Sequence, residues 1–151
     1  MLSEFFTDPH LKFEKSLEGL TSEEIKTFIP QEFNGKDFFI EFYKHFNGGY
    51  FYGGAFIYRD NFISLDDVDS PYLLSISDVL KYRRKISKDF IDFTQLNIPF
   101  AGDAGDNDYW ISLETGEIKY TRSTDIDCLD NIIDIAPSFR DFCLNIQSKR
   151  R

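Results

Sequence analysis

The chain is poor in the side chains from which most catalytic and redox chemistry is built. Of its 151 residues, two are histidine, two cysteine, one methionine and one tryptophan. His10 and His45 lie far apart, and no nucleophile elbow, phosphate-cradling glycine loop or paired-histidine zinc motif accompanies them. His45 falls in a helical stretch beside Phe46, which is the place of a packing or surface residue. The expectation is a protein that is not an enzyme and uses no cofactor. Cys128 and Cys143 are too few and too widely spaced for a metal cluster or a disulfide framework. Cys143 falls on the apolar face of the last helix, where it should be buried. No apolar run approaches the roughly 18 residues of a membrane span, and no charged-then-apolar leader opens the chain. Neither a span nor a signal peptide is therefore expected, and the expected location is cytoplasmic.

Positive charge is also short. Lys and Arg number 17 against 26 Asp and Glu, a net charge of −9. Direct nucleic-acid binding, which needs cations to displace the counterions of phosphates, is excluded as the main activity. An acidic surface serves solubility and favours basic partners. What the chain has in abundance is rings, 17 Phe and 8 Tyr. The core should be built from them, each burying a large area. A length of 151 residues suits one domain over 1–151.

Periodicity gives a coarse order of elements. Residues 9–17 are expected to be helical. Thr21 followed by Glu24 has capping-box spacing and predicts a helix over 22–28, stopped before Pro30. Phe39, Phe42, Tyr43 and Phe46 recur at helical spacing, with Asn47-Gly48 as the left-handed stop. Residues 50–58 read as one strand bent at Gly53-Gly54, in which Tyr50, Phe51, Tyr52, Phe56 and Tyr58 alternate between core and outside. A further strand is expected near 62–65. Ile76, Val79, Leu80, Tyr82, Ile86 and Phe90 predict a helix over 77–90, N-capped by Ser75 or Ser77. Asp125, Asp127, Asp130 and Asp134 are expected in a loop, after which Pro137 opens a helix with Phe139, Phe142, Cys143 and Ile146 on one face. Helices cluster at the ends and strands in the middle, without regular crossovers. That order predicts an α+β fold, a single mainly antiparallel sheet with helices packed against it.

Residues 98–120, IPFAGDAGDNDYWISLETGEIKY, carry the densest signal. The apolar run Ile98 to Ala101 ends in turn formers from Gly102 to Asp108, and Asn107 can take the left-handed conformation there. Tyr109, Ile111 and Leu113 then alternate with Trp110, Ser112 and Glu114, Thr115-Gly116 turns the chain, and Ile118 and Tyr120 resume, a hairpin pattern. This segment resembles the signature of the SUKH superfamily, of the Smi/Knr type. In that pattern a "PFA" strand (Pro99, Phe100) enters an acidic glycine loop with an Asn (Asn107), an aromatic strand and a "TG" turn (Gly116). Asn47, Gly48 and Gly49 match the family's "NGG", and Ala136 to Phe142, with Phe139 and Phe142, match its final "A-x-SF-x-x-F" helix. The loop departs from the pattern at Asp106, where a second glycine is usual, and Asn34-Gly35 looks like an insertion.

The resemblance implies the same α+β architecture and a non-catalytic binding role. Members of its bacterial branch act as immunity proteins that neutralise a cognate toxin by direct binding. The partner expected here is therefore a toxin protein, such as a basic nuclease. A regulatory or scaffold module is the alternative, as in fungal relatives that carry long disordered flanks, which this chain does not show. Two acidic runs are the expected contact surface: Asp66, Asp67 and Asp69, and Asp103, Asp106 and Asp108. Counted as a calcium loop from Asp103, the second run puts Gly105 where a ligand belongs and Asp108 where the tight-turn glycine belongs, so no metal is expected. Turn carboxylates that accept backbone N–H groups explain it better.

Overall fold

The computed structural model describes residues 4–57, 70–122 and 132–148. The predicted strand near 62–65, the aspartates Asp66, Asp67 and Asp69, and Cys128 lie outside them. The described elements are β1 (Phe13–Lys15), α1 (Ser22–Phe28), α2 (Lys36–His45), β2 (Gly49–Phe51), β3 (Ala55–Ile57), β4 (Tyr72–Leu73), α3 (Ile76–Ser87), α4 (Ile91–Leu96), β5 (Asn97–Gly102), β6 (Asp108–Ser112), β7 (Ile118–Thr121), β8 (Ile133–Ala136), α5 (Phe139–Leu144) and β9 (Ile146–Ser148). Seven strands form one sheet in the order β1-β2-β4-β5-β6-β7-β8, every pairing antiparallel, and β3 pairs with β9 in a separate ribbon. The fold is α+β.

Adjacent residues on a strand point to opposite faces of the sheet, and β6 shows what covers each. Tyr109 meets Phe142 of α5, while Trp110 meets Phe93 of α4 edge-on at 4.8 Å. The Tyr109 face holds the main core, a network of rings in which Phe42 of α2, Phe139 of α5 and Phe100 of β5 touch, joined by Phe5 and Phe6 of the N-terminal arm. Edge-to-face contacts dominate, the arrangement favoured by ring quadrupoles. On the opposite face α3 and α4 pack on β5.

Capping explains where the helices begin. Thr21 and Glu24 form the full capping box, and Ser75 and Ser138 accept the N–H groups of Asp78 and Asp141. Several expectations need correction. Residues 9–17 are not a helix: Phe13 pairs with Phe51 as part of β1, and buried Leu11 and Phe13 alternate with exposed neighbours at the two-residue period of an edge strand. The 50–58 strand is two strands, since Gly53 and Gly54 both take left-handed φ (85° and 87°) and send β3 away to β9. Asp134 lies in β8, its carboxylate paired with Lys119 across the strands at 2.8 Å. Pro137 stands before the cap of α5 rather than in its first turn, and Ile146 belongs to β9. The left-handed residue of the acidic loop is Asp106 (φ 61°), not Asn107, at the place where the family pattern carries glycine.

Candidate functional site

Strand register assembles the site. One row of paired residues crosses six strands in the order Glu14, Tyr50, Tyr72, Gly102, Asp108 and Thr121. Directly paired residues project on the same face, so these side chains share the face that α3 and α4 cover in part. Tyr50 and Tyr72 remain 45% and 40% exposed although both stand on inner strands. The Tyr50 hydroxyl donates to Glu14 Oε2 at 2.7 Å.

Gly102 leaves a gap in the row. A Cβ there would stand 3.1 Å from the Tyr72 hydroxyl, so the missing side chain is what lets the Tyr72 ring lean along the sheet toward Asp108. Above this row runs α3, whose Asp78, Tyr82 and Ile86 recur at four-residue spacing and face the same space. Together they bound a groove of about 590 Å³. A second hollow, lined by Leu17, Tyr50 and Tyr72, continues it across the sheet.

Asp108 sits at the inner wall, 7% exposed, and accepts a hydrogen bond from the Tyr82 hydroxyl at 2.9 Å. Burial, partly offset by that bond and reinforced by the charges of Asp103 and Asp106, pushes its carboxyl up to about 6. Burial, followed by the charge of Asp108, raises the Tyr72 and Tyr82 phenols. Lys81 and Lys85 also line the groove, yet among the described residues no ion pair joins either to Asp78, Asp106 or Asp108.

The other members of the acidic run are placed differently. Asp103 is 1% exposed, and its carboxylate is taken up inside the loop. Its oxygens accept from the Gly105 and Asn107 N–H groups, from Asn107 Nδ2 and from the Tyr120 hydroxyl. Asp103 therefore shapes the turn that presents Asp106, which is exposed, and Asp108. The family-motif residues serve as frame. Asn47 Oδ1 accepts the Ile76 N–H at 2.8 Å, Gly48 takes φ 87°, and Gly49 starts β2 beneath Phe13. Pro99 stands at a register shift in β5, Phe100 packs between Phe139 and Phe142, and Gly116 closes the hairpin turn with φ 81°.

A model of the SMI1 / KNR4 family (SUKH-1) matches residues 36–145. The chain belongs to this family. A search of curated proteins found no match. The SUKH-1 match spans α2 through α5 and so contains every residue that lines the groove, while Leu17 of the second hollow lies outside it. Among the described residues of this SUKH-1 chain, no three His, Cys, Asp or Glu side chains are grouped to hold a metal ion, and no helix is long and apolar enough to cross a membrane. Of the residues lining the groove, the sequence reading names Asp106 and Asp108 as contacts but not Tyr72, Tyr82 or Asp78. The spacing of Asp78, Tyr82 and Ile86 along one helix was a usable signal; Tyr72 had none, because its place follows from non-local pairing.

Proposed function

We propose that this SUKH-1 chain is a non-catalytic binding protein that neutralises a cognate toxin by direct association, in the manner of the family's immunity branch. The observation that carries the reading is the groove itself. Exposed tyrosines on inner strands, carboxylates without an ion-pair partner among the described residues, and a buried wall form a concave surface with the traits of a protein-recognition site. Rigid rings supply contact area at low entropic cost, and carboxylates supply orientation toward a basic surface. Neutralisation works by covering the toxin's active surface, a steric and electrostatic block that needs no chemistry from this chain. A basic nuclease is the toxin class that best complements the net charge of −9. Asp66, Asp67 and Asp69, outside the described residues, are proposed from the sequence as further acidic contacts.

The test is genetic and physical together. The neighbouring gene is examined for a secreted protein with a C-terminal toxin domain, and that domain is expressed with and without this chain. Restored growth together with a stable complex of the two purified proteins is the expected result. Growth arrest unaffected by the chain, with no complex formed, would assign it to the regulatory class of the family instead.

A further inference from the structure

A carboxylate that is 7% exposed ordinarily has a cation or, like Asp103, several hydrogen-bond donors beside it, because burial of an uncompensated charge is costly. Asp108 has instead a neutral phenol, Tyr82, and a second phenol, Tyr72, whose ring leans toward it over Gly102. Asp106 and Asp78 add negative charge at the rim. The two lysines of α3 that line the same groove leave all three aspartates without an ion pair among the described residues. Tyr72 is 40% exposed, so an aromatic surface lies open next to a buried carboxylate.

We propose that this groove receives an arginine side chain of the protein partner, its guanidinium resting on Tyr72 and paired with Asp108. The assignment rests on the binding-protein reading and names the chemistry of its central anchor. Arginine fits better than lysine for physical reasons. Its planar, weakly hydrated guanidinium stacks on an aromatic ring and still donates in its own plane to a carboxylate, whereas an ammonium is a strongly hydrated point charge. The strand spacing supports the fit. Tyr72 and Asp108 stand two strands apart in one register row, roughly 9–10 Å between backbones, and the residue between them carries no side chain.

The experiment uses the full chain and three small probes, N-acetyl-arginine methylamide, its lysine counterpart and the neutral isostere N-acetyl-citrulline methylamide, followed by NMR. Saturable shifts at Tyr72, Tyr82, Gly102 and Asp108 are expected with the arginine probe, with a Kd on the order of 1–10 mM. Citrulline should give none, and lysine should bind more weakly. Asp108→Asn keeps an acceptor for Tyr82 and should weaken the arginine probe by about tenfold or more. Gly102→Ala, which crowds Tyr72, should weaken it too, with folding of both variants checked by circular dichroism. Equal response to citrulline, unsaturable shifts spread over the acidic surface, or unchanged affinity in Asp108→Asn would overturn the proposal. A toxin that binds a chain blind to the arginine probe would refute the anchor and leave the function standing; a working arginine site with no toxin rescue would do the reverse.

Discussion

Asp108 shows how one side chain can work against stability while shaping a site. Its carboxyl is raised from 3.8 in the unfolded chain to about 6 in the folded one, chiefly by burial. Between those values the folded chain holds the proton more tightly, so stability falls as pH rises from about 4 to about 6 and the deficit is complete above that. The groups that face the carboxyl are Tyr82 of α3, Tyr72 of β4, and Asp103 and Asp106 of the loop. Asp108→Asn should therefore raise stability at pH 7.5 by up to about 3 kcal/mol, an advantage that disappears below pH about 4. Urea unfolding of both proteins at several pH values measures this; an Asn variant no more stable at pH 7.5 would show that the carboxylate is not disfavoured. Asp103 is the opposite case. Its oxygens accept N–H groups of the loop and the Tyr120 hydroxyl, all within the turn or the core. Asp103→Ala should cost roughly 2–4 kcal/mol at neutral pH, because several donors lose a charged acceptor at once. A loss below about 0.5 kcal/mol in the same urea assay would mean that water replaces the carboxylate without penalty.

At the scale of elements, the junction of α2 with α3 depends on Asn47. The Ile76 N–H is one of the first N–H groups of α3, which have no partner within the helix, and Asn47 Oδ1 accepts it from a buried position at 2.8 Å. Asn47→Ala should destabilise by roughly 1–3 kcal/mol, and Asn47→Asp by less, since an aspartate accepts the same bond and its charge is favoured at a helix N-terminus. Equal losses in thermal denaturation would show that the amide serves only to fill space. This bond also marks what the sequence could and could not reveal. Local signals were legible: the Thr21 capping box, the ring spacing of α2, the hairpin of β6 and β7, and the glycine-rich motifs that place the chain among its relatives. Non-local pairing was not. Phe13 becomes a strand residue only because Phe51 lies opposite, and Tyr72 faces the groove only because a two-residue strand is inserted between β2 and β5. In the acidic loop the acceptance of backbone N–H groups by a carboxylate is legible, but the left-handed residue is Asp106 rather than Asn107, and the split among the aspartates, one inward, one on the rim and one on the wall, follows from tertiary burial that no spacing encodes.

For the whole molecule, charge and rings divide the work of the proposed recognition. With a net charge of −9, the chain attracts a basic partner over distances set by the Debye length, roughly 8–10 Å at moderate salt. Asp66, Asp67, Asp69 and the exposed Asp106 are the carboxylates proposed to steer that encounter. Charge reversal at these four should slow association with the toxin on the order of tenfold at low ionic strength, with a dissociation rate changed by less than about twofold. Added salt should shrink the difference, because screening removes from the native protein what reversal removes from the variant. The rings act later. Tyr50 and Tyr72 are exposed in the free chain and lie inside the interface of the proposed complex, so Tyr50→Ala and Tyr72→Ala should speed dissociation and leave association nearly intact, as expected of anchors buried at an interface centre. Stopped-flow association and surface-plasmon dissociation, measured at two salt concentrations, separate the two effects. An association rate indifferent to the four reversals at low salt would show that the encounter is steered by another surface, and unchanged dissociation in both tyrosine variants would move the interface away from the groove.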